Sequence, residues 1–219
     1  MSEFTIYAIP GSPFARSVFV ALEEKGVRYR LAAVAPGSHR APEHLARHPF
    51  GRVPVLQHGD FQLYETQAIL RYIDRVHPAP VLTPAHPRDA ARMDQLMNIN
   101  DWYLFQGVAS VIAFQRVVGP RLMGITPDED AIAAAMPKAR TVFDELALRL
   151  GDKRFFVNDA ISLADVHLAP QLDFLRATPE WEPLTSKHGN LGKWLDLMNS
   201  RPSMAATTWD RVNAMARAA

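Results

Sequence analysis

The sequence predicts an α/β domain followed by an all-helical one. Three observations carry this reading. Strand and helix signals alternate through the first third of the chain, prolines then gather at Pro78, Pro80, Pro84 and Pro87, and beyond them the strand signals stop. The expected division is 1–79 for the α/β part, 80–87 for a linker and 88–219 for the helical part.

In the first part, Phe4 to Ile9 is a β-branched and aromatic run that Pro10-Gly11 ends. Ser12 is a good N-cap and Pro13 suits the first helical position. Phe14, Val18, Ala21 and Leu22 then share one helix face, and Lys25-Gly26 closes the helix. Tyr29 to Val34 reads as a second strand, which makes a βαβ unit with parallel strands. Pro54 to Gln57 and Phe61 to Leu63 flank His58-Gly59-Asp60, a hairpin signal. A helix from Thr66 to Val76 carries Ile69, Leu70 and Ile73 on one face. The order is βαβββα, a small mixed sheet with helices packed on it.

Beyond the linker, residues 88–118 are strongly helical, with Met93, Leu96, Met97, Asn100, Tyr103 and Leu104 as an inner stripe. A second helix is expected from Thr126-Pro127, with Asp128, Glu129 and Asp130 complementing its positive end. Pro137 should kink or split that helix. Ser162-Leu163-Ala164-Asp165 is close to a capping box. Gly192 to Asn199 supplies a further helix, ended by Arg201-Pro202.

Composition narrows the chemistry. The 24 basic and 23 acidic residues leave a formal net charge of +1, with the basic residues scattered, so neither nucleic acid nor an anionic membrane is an expected partner. Met1-Ser2-Glu3-Phe4 lacks the basic and apolar regions of a secretory signal, and no run of about 18 apolar residues offers a span. A cytoplasmic protein is expected. There is no cysteine, which removes disulfides, Cys-x-x-Cys redox centres and a cysteine nucleophile. Any thiol chemistry needs a thiol that arrives with a ligand. His44 and His48 stand i, i+4, but no third ligand falls in step, and no metal is expected.

The motifs then converge. Pro10-Gly11-Ser12-Pro13 runs on through Arg16 and Val18, and Glu24-Lys25-Gly26-Val27 follows. His39, His48-Pro49-Phe50-Gly51-Arg52-Val53-Pro54, Glu65-Thr66-Gln67-Ala68-Ile69-Leu70 and Ser162-Leu163-Ala164-Asp165 come after, in this order and at these separations. Each motif is weak alone. Together, over nearly the whole chain, they make it resemble the glutathione S-transferases, nearest the serine-type, phi-like branch. It departs from the bacterial beta branch, which has a cysteine in the first loop.

The resemblance implies a thioredoxin-like glutathione-binding domain and a helical domain that shapes a hydrophobic co-substrate pocket. Ser12 is the implied catalytic residue. A glutathione thiol with a pKa near 8.5 must be lowered by roughly two units, about 2.7 kcal/mol in favour of the anion. A hydroxyl donating to charged sulfur supplies roughly 1.5–3 kcal/mol, and a helix N-terminus roughly 0.3–2 kcal/mol. On local sequence alone the simpler reading of Ser12 is an N-cap. Tyr7 is a competing donor, since other branches use a first-strand tyrosine; its simpler reading is a core aromatic.

Pro54 is implied to be cis, with Val53 pairing its main chain with the cysteinyl backbone of glutathione, a form of strand addition. Glu65 would hold the γ-glutamyl amine, while Thr66 and the helix N-terminus receive its carboxylate. Their simpler reading is helix capping. His39 and Arg52 would meet the glycyl carboxylate, although the family often has glutamine or lysine where Arg52 stands. Pro13, Phe14, Val111, Phe114 and Val118 are candidate lining of the co-substrate pocket, or plain core.

The expected activity is conjugation: bound glutathione ionises and its thiolate attacks a small apolar electrophile, a detoxification chemistry. A glutathione-dependent peroxidase or dehalogenase would use the same site. A non-catalytic protein binding glutathione and hydrophobic ligands is the alternative from another class. The resemblance also implies a homodimer, with Phe50 inserting into the partner.

Overall fold

The structure is a computed structural model that describes residues 3–218; Met1, Ser2 and Ala219, at the ends of the sequence-based domains, lie outside the described residues. The chain forms two units, Met1–Leu82 with Ser200–Ala219, and Thr83–Asn199. Residues 200–218, grouped by sequence with the helical part, pack in the first unit.

In the first unit the order is β1 (Phe4–Ala8), α1 (Pro13–Lys25), β2 (Tyr29–Ala33), α2 (Pro42–Leu45), β3 (Val55–His58), β4 (Phe61–Tyr64) and α3 (Thr66–Val76). The four strands form one sheet in the order β2-β1-β3-β4, parallel between β1 and β2 and antiparallel elsewhere. This is the βαβββα arrangement that the sequence predicts, with one short helix, α2, added between β2 and β3. Phe4, Ile6 and Ala8 of β1 face the apolar core with Val18, Phe19 and Leu22 of α1 and Ile69 and Ile73 of α3. Each such fully buried large side chain contributes roughly 1.5–3 kcal/mol. Tyr7 does not join that core; alternation along β1 turns it to the opposite face, where Arg47 Cζ lies 4.6 Å from its ring centroid.

Gly26 ends α1 at φ 62°, and Gly59 makes the hairpin turn at φ 63°. The start of the linker is tied to this unit. Asp74 of α3 accepts from the backbone N–H of Leu82 at 3.1 Å and pairs with the buried Lys25, which also donates to the carbonyl of Pro80. Two helices not apparent in the sequence, α10 (Pro202–Ala206) and α11 (Trp209–Ala218), complete the unit.

The second unit holds α4 (Pro87–Ile99), α5 (Gly119–Met123), α6 (Glu129–Leu150), α7 (Leu163–Arg176), α8 (Trp181–Thr185) and α9 (Gly189–Asn199). The strongly helical stretch predicted at 88–118 is present, with a break that the sequence reading did not include. A π-helical segment, Asn100–Ala109, follows α4 and breaks at Gln106 and Gly107, the latter at φ 78°. The wider winding rotates the inner face. Met93, Leu96, Met97, Asn100 and Leu104 are buried as predicted, but Tyr103 is 57% exposed. Pro137 does not split α6, which runs unbroken for 22 residues from the N-cap Asp128, not from Thr126.

Asp165 is the polar centre of this unit. Its Oδ1 accepts from the Phe156 N–H at 2.9 Å and from Trp194 Nε1 at 3.0 Å. Its Oδ2 accepts from the Ser162 N–H at 2.9 Å and Ser162 Oγ at 2.8 Å. The predicted capping box is therefore present at the start of α7. Among the described residues, no helix is long and apolar enough to cross a membrane.

Candidate active site

Strand register brings three loops to one end of the sheet. Tyr7 pairs with Val55, and Val55 with Tyr64. The segment leaving β1 towards Ser12, the segment entering β3 through Val53-Pro54 and the segment leaving β4 into Glu65-Thr66 therefore all lie at that end. Because β2 runs parallel to β1, its exit towards His39 lies there too. Six residues that are remote in sequence (Ser12, His39, Val53, Pro54, Glu65 and Thr66) are gathered by one sheet edge.

Ser12 is the N-cap of α1, with φ −71° and ψ 120°, and its Oγ accepts from the Ala15 N–H at 3.3 Å. A hydroxyl that accepts there keeps its own hydrogen for donation to an anion. The positive end of the α1 dipole reinforces that direction. Pro13 and Phe14, in the first turn of α1, are half-buried.

The Val53-Pro54 peptide is cis, as the resemblance implies. Pro54 is buried directly before β3, while Val53 is half-buried ahead of it. This segment is braced by His44 and His48, whose i, i+4 spacing the sequence reading weighed against a metal pair. His44, buried in α2, engages the carbonyl of Arg52 through Nε2 at 2.7 Å. His48, 2% exposed, lies against Tyr64 with ring centroids 4.6 Å apart. The i, i+4 spacing thus reports two structural contacts, and only the tertiary fold supplies both partners.

Glu65 is exposed and precedes α3 with φ 70° and ψ 115°, the one positive φ among described non-glycine residues. Thr66, the first residue of α3, is buried. His39 is half-buried in a short 3₁₀ turn, Ser38–Arg40, and its carbonyl oxygen is 3.1 Å from where a Cβ on Gly51 would stand. Burial, then the neighbouring Arg40 and His44, hold the His39 imidazole below its ordinary range. Arg52, which follows Gly51, is exposed. Val111, Phe114 and Val118 are half-buried on the segment that follows the Gln106–Gly107 break.

An edge with a cis-proline, a serine-capped helix and an acidic residue before a second helix can bind an extended peptide-like thiol and stabilise its anion. The model of the glutathione S-transferase N-terminal domain matches residues 2–75, and that of the C-terminal domain matches residues 105–202. A probable glutathione S-transferase of Oryza sativa subsp. japonica, GSTF2, is 33% identical over 184 residues, 83% of this chain and 85% of that protein. Among solved structures, glutathione transferase F2 from Populus trichocarpa superposes with a TM-score of 0.83 at 28% identity, covering 99% of this chain and 100% of that one. Glutathione S-transferase F7 of Arabidopsis thaliana is 28% identical over 93% of this chain and 98% of its own length.

Proposed function

The chain belongs to the glutathione S-transferase family and is a glutathione transferase, and we propose that Ser12 is the residue that holds the glutathione thiolate. The observation that carries this reading is the Ser12 hydroxyl at the N-cap of α1, at the same sheet end as the cis Val53-Pro54 peptide. In this reading glutathione lies along the edge entering β3. The Val53 main chain pairs with its cysteinyl backbone, and Pro54 fixes that edge. Glu65 takes the γ-glutamyl amine, and Thr66 with the start of α3 takes the carboxylate. Arg52 and His39 take the glycyl carboxylate.

Catalysis is then thiolate stabilisation plus positioning, with no covalent intermediate on the protein. The sulfur attacks an electrophilic carbon of a small apolar co-substrate, for which Pro13, Phe14, Val111, Phe114 and Val118 are the proposed contacts. The proposed setting is detoxification in the cytoplasm. The proposed assembly is a homodimer to which Phe50, 71% exposed, is suited as an apolar anchor. The proposed domain roles are glutathione binding by 1–79 and co-substrate binding by 88–219, joined by 80–87.

The test is conjugation of glutathione to a generic aromatic electrophile by wild type and Ser12→Ala, with glutathione affinity measured for both. Loss of one charge-assisted hydrogen bond predicts a drop of about tenfold or more in rate, with glutathione still bound. An equally active variant would sink the assignment of Ser12 and turn attention to Tyr7. Binding without turnover of any electrophile, peroxide or halide would favour a binding protein.

A further inference from the structure

The C-terminal segment grips the element that carries Ser12. A Cβ placed on Gly11 would lie 2.4 Å from Trp209 Cε2 and 2.7 Å from its Cζ2, so the indole rests against the backbone one residue before Ser12. Gly11 itself stands at φ 92°, a conformation that glycine adopts without strain. One turn into α1, Arg16 Nη2 donates to the Met204 carbonyl at 3.2 Å. Near the end of α1, Arg201 Nε and Nη2 each donate to the Glu24 carboxylate at 2.6 Å, and Ser203 Oγ donates to it at 2.5 Å. Val212 of α11, 3% exposed, is part of the same core as Val18 and Phe19.

The main chain of the Ser12 turn is held by ordinary hydrogen bonds, from the Ser12 N–H to the Ile9 carbonyl at 3.0 Å and from the Arg16 N–H to the Ser12 carbonyl at 2.9 Å. The hydroxyl is held more loosely, accepting from the Ala15 N–H at 3.3 Å, just beyond the usual range. Resting on the reading of Ser12 as the thiolate donor, we propose that Trp209 is a positioning residue: its indole sets the Gly11-Ser12 turn, and with it the Ser12 hydroxyl. The rest of the segment holds α1 in place beneath that contact. A misplacement of about 1 Å at a reacting centre can cost about 10²-fold in rate, so a contact that never touches substrate can still govern it.

The experiment compares full-length wild type, Trp209→Leu, Trp209→Phe, Ser12→Ala and the Ser12→Ala/Trp209→Leu double variant. It reads thermal unfolding, glutathione affinity, kcat, and the pKa of the enzyme-bound glutathione thiol from its ultraviolet thiolate absorbance. Trp209→Leu is expected to lower kcat about tenfold and raise the bound thiol pKa by about one unit, with glutathione affinity within about threefold. Trp209→Phe restores most of both, and in the Ser12→Ala background Trp209→Leu adds little. If Ser12→Ala raises the thiol pKa and Trp209→Leu leaves it unchanged, the positioning role is overturned alone. If Ser12→Ala leaves it unchanged, the reading of Ser12 beneath it fails. Should Trp209→Leu not fold, Trp209→Met, which keeps an apolar side chain but loses the flat ring, carries the test, and a thiol pKa equal to wild type in that variant overturns the proposal.

Discussion

Glu65 stands at φ 70° and ψ 115°, where a side chain with a Cβ costs about 1–3 kcal/mol, and it does so while exposed, outside the buried core. Strain kept at an exposed charged residue ahead of a helix points to a ligand. Glu65→Gly is expected to raise stability by about 1 kcal/mol, since relief of strain exceeds the added chain entropy of glycine. The same variant is expected to weaken glutathione binding by about tenfold or more through the lost contact to the amine. Denaturant unfolding and a glutathione titration check the two halves separately, and unchanged affinity would remove Glu65 from the binding set. Ser12 shows the complementary case: one hydroxyl accepts from Ala15 to cap α1 and still has a hydrogen to donate, so the capping and catalytic readings do not compete.

At the scale of elements, α7 depends on one carboxylate. Asp165 is fully buried and satisfies four donors contributed by Phe156, Ser162 and Trp194. Burial pushes its carboxyl above the usual range while those donors pull against it. Asp165→Ala would strand all four donors and is expected to destabilise the protein by about 3 kcal/mol or more. Urea unfolding measures that loss; a variant within about 1 kcal/mol of wild type would mean that the donors find other partners. The π-helical segment after α4 is the opposite kind of element, where Gly107 at φ 78° releases the chain from a helix that apolar periodicity alone would have continued.

For the molecule as a whole, pH acts through two histidines of the first unit, His48, which is buried, and His39, which is half-buried. Burial, then the proximity of His44 and Arg52, hold His48 below its ordinary range, and burial with Arg40 and His44 does the same for His39. The unfolded chain takes up these protons near pH 6.5, the folded chain only lower. The contribution of these groups is therefore full above about pH 6.5 and is lost as pH falls through the folded values. Denaturation at about pH 7.5 and about pH 5.5 should show a fall in stability that His48→Gln makes smaller. Equal falls in both proteins would rule out His48 as a source.

Sequence alone determined what is local. Ser12-Pro13 and Gly26 bound α1, the hairpin turn follows from Gly59, and Ser162 with Asp165 marks the start of α7, because caps and turns are set by residues within a few positions of one another. The proposed glutathione-binding residues were legible only through their joint resemblance to a family, since no spacing along the chain says that Ser12, Pro54 and Glu65 meet. Tertiary structure alone decided that meeting, through the register Tyr7–Val55–Tyr64. It also decided that Tyr7 leaves the core for Arg47, that His44 braces Arg52, and that Trp209 closes on Gly11 across nearly the whole length of the chain. Such contacts depend on which faces of distant elements are pressed together to bury apolar surface, and that choice is a property of the whole sequence acting at once.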